Sequence, residues 1–390
     1  MLKKHTFLLF FLLIFKSLQA QLQLSAYSEI SIVTAGPGTK LFEAFGHSAL
    51  RVKDPMFQLD LIYNYGMFDF NQPNFYSNFV KGKLLYSLGR YNFDYFLASY
   101  QQDKRWVKIQ VLNLTQAEKQ AFFNYLENNA LPENRDYLYD PYFDNCATKL
   151  RDITSSVFKG KVVFKNESFD ENQSFRQLMN QEIPWNSWGS FGINMALGNK
   201  LDKKATLQQT MYLPKYVYST FKNTQITVNG KSENLVKNEE ISLNYENIEQ
   251  KTTIFNPFLI FLIFGIIGVL ITFSDFKKNK RTNWLDATIF FSTGIIGTLI
   301  VFLWFFTDHS TTPNNFNFLW AFAPNFIVGW FLFKKVPPKW ISKYTKLLVI
   351  LLLIIPFVWL TKIQEFPISV IPLLAFLFIR YLFLSTKNSL

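Results

Sequence analysis

From Ile254 onward the sequence is dominated by apolar stretches, at about 254–273, 285–306, 318–333, 347–361 and 366–385. Their lengths suit helices crossing a bilayer. This is the strongest constraint on the chain, because a lipid interior offers the backbone no partner but itself. Pro324 and Pro356 interrupt the third and fourth stretches, which are also the short ones. The loops orient the set. The first and third carry Lys277, Lys278, Lys280, Arg281 and Lys334, Lys335, Lys339, Lys343, Lys346, whereas the second and fourth hold only Asp308, His309, Lys362 and Glu365. Basic loops stay in the cytoplasm, so residues 21–253 lie outside. Six of the nine tryptophans fall in this half, mostly near span ends, where an aromatic belt belongs. The expectation is an all-α membrane domain of five transmembrane helices over residues 251–390.

The formal net charge of +12 raises the question of a nucleic-acid partner. Its distribution answers it. Residues 1–20 carry a net +3, residues 21–250 none, and residues 251–390 a net +9. A balanced polar segment between basic ends disfavours a nucleic-acid surface, and a 49% hydrophobic composition excludes disorder. The basic start at Lys3 and Lys4, the apolar run Phe7–Phe15 and Ala20 make residues 1–20 a secretory signal, with an uncleaved anchor as the alternative because Leu18 occupies the minus-three position. No cysteine follows Ala20 directly, so the chain is not expected to be a lipoprotein itself.

In the outer segment, residues 28–34 alternate like a strand that Gly36-Pro37-Gly38 ends. A short helix over Thr39–Phe45 is predicted next. His47–Val52 and Leu59–Tyr65 read as strands joined by a turn around Asp54-Pro55, and residues 105–112 as another strand. Thr115 with Glu118 predicts a capped helix over 116–129. A further helix is predicted from near Asn145 to about Phe158, and a hairpin around Asn229-Gly230.

Cysteine and histidine are scarce enough to be informative. The single cysteine is Cys146, so no intramolecular disulfide is possible. Of three histidines, His5 lies in the signal and His309 in an outer loop, which leaves His47 as the one in the same domain as Cys146. That set is too small for a structural metal site, and no Gly-rich phosphate loop is present; no cofactor is expected. Asp144 or Asn145 can cap a helix whose first turn holds Cys146. A thiol there faces unpaired N–H groups and the positive end of the helix dipole, which favours the thiolate. His47 is the candidate base. If the hairpin turn centres between Pro55 and Met56, cross-strand partners have numbers summing to about 111, and His47 lies opposite Asn64. With the register open by a residue, Tyr63, Tyr65 and Asp60 are weaker alternates. A lone cysteine is ordinarily a small buried residue, so the dyad must be weighed against plain packing. His309, at the outer membrane boundary, is a weaker candidate for substrate contact.

Phe45-Gly46-His47-Ser48-Ala49-Leu50-Arg51-Val52, Tyr63-Asn64-Tyr65-Gly66, Asp144-Asn145-Cys146-Ala147-Thr148 and Arg151-Asp152 resemble the outer domain of Lnb-type bacterial lipoprotein N-acyltransferases. The order of histidine strand, polar strand and cysteine at a helix start also resembles circularly permuted NlpC-type thiol enzymes. The resemblance covers roughly residues 25–215, and the five-span tail agrees with it. It implies an α+β permuted papain-like (NlpC-type) fold, with a catalytic core over 21–160 and an accessory part of the periplasmic domain over 161–250. It also implies Cys146 as nucleophile, His47 as base and Asn64 in the place of the third polar residue, where some relatives have a second histidine.

The reaction expected from this is transfer of a fatty acyl chain from a membrane phospholipid, through a Cys146 thioester, to the N-terminal amine of a diacylated lipoprotein at the bacterial inner membrane. Two rivals use the same residues: a membrane-anchored thiol peptidase or amidase of the envelope, and a non-catalytic scaffold in which Cys146 is merely buried. The aromatic stretch Phe68, Phe70, Phe75, Tyr76 and Phe79 has two readings, an acyl groove or interfacial contact on one side and ordinary core packing on the other.

Overall fold

The computed structural model describes residues 22–159, 161–228, 231–248 and 252–386. The predicted signal segment, its Ala20 cleavage position and the Asn229-Gly230 turn lie outside the described residues. The strands are β1 (Glu29–Ala35), β2 (His47–Asp54), β3 (Leu59–Met67), β4 (Leu85–Asn92), β5 (Val107–Leu112), β6 (Asp136–Leu138), β7 (Gln225–Val228), β8 (Lys231–Asn234) and β9 (Val236–Leu243). Seven form one antiparallel sheet in the order β6-β4-β3-β2-β1-β5-β9, and β7 pairs with β8. The helices of this N-terminal α/β domain are α1 (Phe75–Lys81), α2 (Phe93–Gln102), α3 (Gln116–Asn129), α4 (Cys146–Val157), α5 (Phe175–Asn180), α6 (Trp188–Ala196), α7 (Leu207–Thr210) and α8 (Pro214–Asn223).

Alternation along the strands divides the core. Ile30, Ile32, Leu50, Val52, Tyr63 and Tyr65 point to the face covered by α3, α4 and α8. Val33, Ala35, Ala49 and Ile62 point to the opposite face, where Phe93, Phe96 and Tyr100 of α2 cover them. With both faces covered, the interior strand β1 is buried along its whole length after Glu29. The capped helix at Thr115 forms as the sequence predicts, with Thr115 and Glu118 reciprocally bonded. The predicted helix Thr39–Phe45 shrinks to a single 3-10 turn, Leu41–Glu43.

The C-terminal domain is helical: α9 (Pro257–Lys277), α10 (Asn283–Phe305), α11 (Asn325–Leu332), α12 (Trp340–Leu360) and α13 (Ile371–Thr386). Among the described residues, four segments are long and apolar enough to cross a membrane: α9, α10, α12 and the stretch Ile368–Thr386 that contains α13. The third apolar stretch is not the continuous helix expected over 318–333. It is a 3-10 turn, Phe316–Leu319, followed after Pro324 by the eight residues of α11, which at 1.5 Å per residue extend only about 12 Å. Its non-helical backbone is closed by local turns, Asn325 N donating to Phe322 O at 2.9 Å and Phe326 N to Ala323 O at 3.1 Å, and side chains brace it. Asn325 donates Nδ2 to Thr293 Oγ1 at 2.9 Å, and Trp320 donates Nε1 to Asn317 Oδ1 at 2.9 Å. It also lies close against α10: a Cβ on Gly297 would come 2.0 Å from Ala321 O, and one on Gly294 2.1 Å from Phe326 N. Pro356, expected to interrupt the fourth stretch, sits inside an unbroken α12 that starts seven residues earlier than predicted.

The two domains meet on the outer side. Gly198 and Asn199 donate backbone N–H groups to Thr311 O (2.8 Å) and Asn314 O (3.1 Å). Asp202, paired with the buried Arg176, accepts from Glu365 N at 2.9 Å. At the other end of the bundle, Arg281 and Asn283 bond the carbonyls of Leu332 and Lys334. Deeper in, Arg380 pairs with Asp275 at 2.9 Å and Asp286 at 2.6 Å, all three buried, joining α9, α10 and α13.

Candidate active site

Two glycines shape the strands that carry the site. Gly46 has φ +74°, and a Cβ there would come 2.9 Å from Ala35 O; without one, the chain turns tightly into β2. His47 is therefore the first residue of β2, paired with Ala35 of β1. The β2–β3 hairpin has Asp54 opposite Leu59 and Leu50 opposite Tyr63. Its loop, a 3-10 turn Pro55–Phe57 plus Gln58 in the left-handed region, centres one residue later than expected. Cross-strand numbers consequently sum to 113, two more than predicted. Asn64 is the diagonal neighbour of His47 rather than its direct opposite. A shift of two preserves the face, and the contact forms: His47 Nε2 lies 2.6 Å from Asn64 Oδ1. Asn64 Nδ2 in turn donates to Tyr91 Oη at 2.9 Å.

Beyond Asn64 the pairing of β3 with β4 shifts, and Gly66 sits in that irregularity with φ +90°. Cys146 lies directly over it: a Cβ on Gly66 would be 3.7 Å from the Cys146 Cβ. The cysteine is the first residue of α4, and Asn145 is the cap. Asn145 Oδ1 accepts from Ala147 N and Thr148 N, both at 2.9 Å, while Asn145 N donates to Thr148 Oγ1 at 2.7 Å. Its Nδ2 donates to Pro141 O (2.6 Å) and Tyr212 O (2.9 Å), which fixes the loop before the thiol. Asp144, the other possible cap, pairs instead with Lys149 at 2.7 Å.

The Cys146 thiol and the His47 imidazole are within hydrogen-bonding reach of one another. Burial disfavours charge on both. The attraction outweighs it: opposite charge and a hydrogen bond from His47, with the N–H groups of Ser48 and Ala147 facing the sulfur, hold the thiol below its ordinary range. The imidazole is held above its ordinary value by Cys146 and by the Asn64 bond, against burial. With Nε2–H donated to Asn64, Nδ1 is left for the sulfur. The arrangement can present a buried thiolate–imidazolium pair, with N–H donors at a helix start.

The remaining candidates lie elsewhere. Tyr63 points to the other face, where its hydroxyl donates to Glu127. Tyr65 is buried in the core with a hydroxyl that has no partner among the described residues. Asp60 pairs with Arg51 at 2.6 Å. His309 bonds Val80 O at 3.1 Å, and no hydrogen bond among the described residues joins it to Cys146 or His47. Nor does any group of three or more His, Cys, Asp or Glu side chains there converge as metal ligands would. Sequence reasoning missed Tyr91, whose role depends on the β3–β4 register, and Gly66. The Tyr-Gly that follows Asn64 was the available sign of a break in that strand.

Two family models match the chain in order. The Lnb N-terminal periplasmic domain matches residues 15–181, and the Lnb transmembrane domain matches residues 248–389. No curated protein and no solved structure matches. With an α/β domain and a helical membrane domain each matched by its own model, the chain belongs to the Lnb-type, lipoprotein N-acyltransferase-like proteins, multi-pass membrane proteins with a periplasmic N-terminal domain.

Proposed function

We propose that this protein is a thiol acyltransferase of the bacterial inner membrane that N-acylates lipoproteins, with Cys146 as nucleophile, His47 as acid and base and Asn64 as the residue that orients His47. The observation that carries the reading is the Cys146–His47–Asn64 alignment at the start of α4. The thiolate attacks the ester carbonyl of a phospholipid, forming an S–C bond as the ester C–O bond breaks. The His47 imidazolium gives its proton to the departing lysophospholipid alkoxide. The α-amine of a diacylglyceryl-cysteine lipoprotein then attacks the thioester and gives its proton to His47. As the N–C bond forms and the S–C bond breaks, the thiolate returns. No external energy source enters this balance.

The outer domain would then be a permuted papain-like core, with the histidine and asparagine strands preceding the cysteine helix. The membrane domain would cross five times. Residues 311–314 bond the periplasmic domain, and residues 332–334 bond the opposite end of the bundle, so the discontinuous third segment supplies the fifth crossing.

The test is to incubate the full-length protein in bilayers of acyl-labelled phospholipid and look for a hydroxylamine-labile acyl group on Cys146. Mass spectrometry of lipoprotein N-termini from a strain lacking the protein should show loss of the N-linked chain. Unchanged triacylated termini, with no second copy of the gene, would overturn the reading.

A further inference from the structure

The aromatic stretch that follows β3 divides between its two readings. Phe75 is buried, whereas Phe70, Tyr76, Phe79 and Val80 are exposed, Tyr76 at 73%. Tyr76, Phe79 and Val80 form an uncovered apolar face on α1, with Phe70 in the loop before it, of a kind that soluble surfaces rarely carry. Its height relative to the bilayer follows from bonds to the membrane domain. Lys81 O accepts from Asp308 N at 2.8 Å, Val80 O bonds His309, and Lys83 pairs with Asp308 at 3.3 Å. Asp308 is three residues past the end of α10, at most about 10 Å along the chain, so the last turn of α1, bonded to it, lies close to the end of that span. With 23 residues, α10 is about 35 Å long, enough to carry its end through a hydrocarbon layer of about 30 Å to the headgroups. The exposed Phe305 and Phe306 at that end continue the apolar surface.

From this face a run of aromatic rings leads inward. Phe75 contacts Phe68 (6.0 Å between centroids), Phe68 contacts Tyr86 (5.2 Å), and Tyr86 stacks on Tyr139 (4.1 Å). Tyr139 borders the same Gly66 that lies beneath Cys146. We propose that the exposed aromatic face of α1 is immersed in the periplasmic leaflet, and that the acyl chain of a donor phospholipid leaves the bilayer along this aromatic run to reach Cys146. The identity of the cargo rests on the acyl-transfer reading; the immersion does not.

Immersion is tested first, in full-length protein carrying Cys146→Ala and reconstituted in phosphatidylglycerol/phosphatidylethanolamine bilayers. Nitroxide labels are placed at Tyr76→Cys, Phe79→Cys and Tyr27→Cys. Tyr27 is 71% exposed and lies at the end of β1 remote from Ala35 and His47. Labels at 76 and 79 should relax faster with lipid-soluble oxygen than with an aqueous nickel chelate, and the label at 27 the reverse. Chelate access at 76 and 79 equal to that at 27 would overturn the proposal. The second arm keeps Cys146 and combines Tyr76→Ser with Phe79→Ser. Acylation from long-chain phospholipid should fall at least about tenfold, while acylation from a water-soluble acetyl thioester stays within about twofold. Equal rates from phospholipid in variant and parent, or equal losses with both donors, would overturn the conduit. If the parent protein takes no acyl chain from phospholipid at all, the transferase reading fails, and the nitroxide result still decides immersion.

Discussion

Replacing Asn64 by alanine removes the acceptor 2.6 Å from His47 Nε2 and leaves the rest of the dyad in place. A hydrogen bond to a charged imidazolium is worth about 1.5–3 kcal/mol, which at 1.36 kcal/mol per decade corresponds to a loss of about 10- to 150-fold in the rate of thiol acylation. The direction with pH is also set. On the proposed mechanism, activity needs Cys146 ionised and His47 protonated, so it should rise with pH through the lowered titration of the thiol and fall through the raised titration of the imidazole. Because the Asn64 bond helps to raise the imidazole, Asn64→Ala should move the alkaline limb to lower pH. Asn64→Asp, which keeps an acceptor oxygen, should restore most of the rate. The assay is the pH dependence of thioester formation on the full-length protein from acyl-labelled phospholipid, and because Cys146 is the single cysteine, iodoacetamide labelling of the whole chain reports the ionisation of the same sulfur on the acid limb. If Asn64→Ala kept the parent rate and the parent alkaline limb, the orienting role of Asn64 would be wrong.

Further outcomes are expected. Cys146→Ser and His47→Ala should each abolish thioester formation and complementation at normal abundance in the membrane, and full complementation by either would favour the scaffold. Gly66→Ala places a side chain where φ is +90°, at a cost of about 1–2 kcal/mol, and should slow labelling of Cys146. Gly192→Ala, in α6 with open space around it, should leave labelling unchanged and raise the thermal midpoint slightly. Asn145→Ala removes a helix cap worth about 0.5–2 kcal/mol together with the bonds to Pro141 and Tyr212, and should lower the thermal midpoint in detergent. Arg380→Met leaves Asp275 and Asp286 without their shared partner at about 3–5 kcal/mol, read as loss of full-length protein from membranes.

What the sequence could disclose was local. Cys146 at a helix start follows from Asp144-Asn145 and the apolar spacing after it. The meeting of His47 and Asn64 follows from strand alternation, which survived a turn centred one residue off because an error of two in register returns every side chain to its own face. Non-local pairings were out of reach. Nothing in 85–92 or 236–243 announces that these strands join the sheet, β4 between β3 and β6 and β9 at the edge beside β5, so Tyr91 stayed hidden. The break at Trp320–Pro324 was hidden for another reason. Window hydropathy measures apolar content, and a segment whose carbonyls are taken up by its own local turns scores much as a straight one does.

The seam between the domains has a consequence for which lipoproteins this protein can serve. Gly198, Asn199 and Asp202 are tied to both periplasmic loops of the membrane bundle, and Ser310 donates to Asp140 in the turn just before the cysteine loop. The sulfur thus has a fixed stand-off from the bilayer. On the proposed reaction, an acceptor would bring its lipidated terminus to that height while its folded body clears the periplasmic domain. The unstructured residues between terminus and body act as a leash, each adding at most about 3.3–3.6 Å. Below some leash length a lipoprotein would then be excluded however well its terminus fits, which would make slack, rather than sequence, the first criterion of selection.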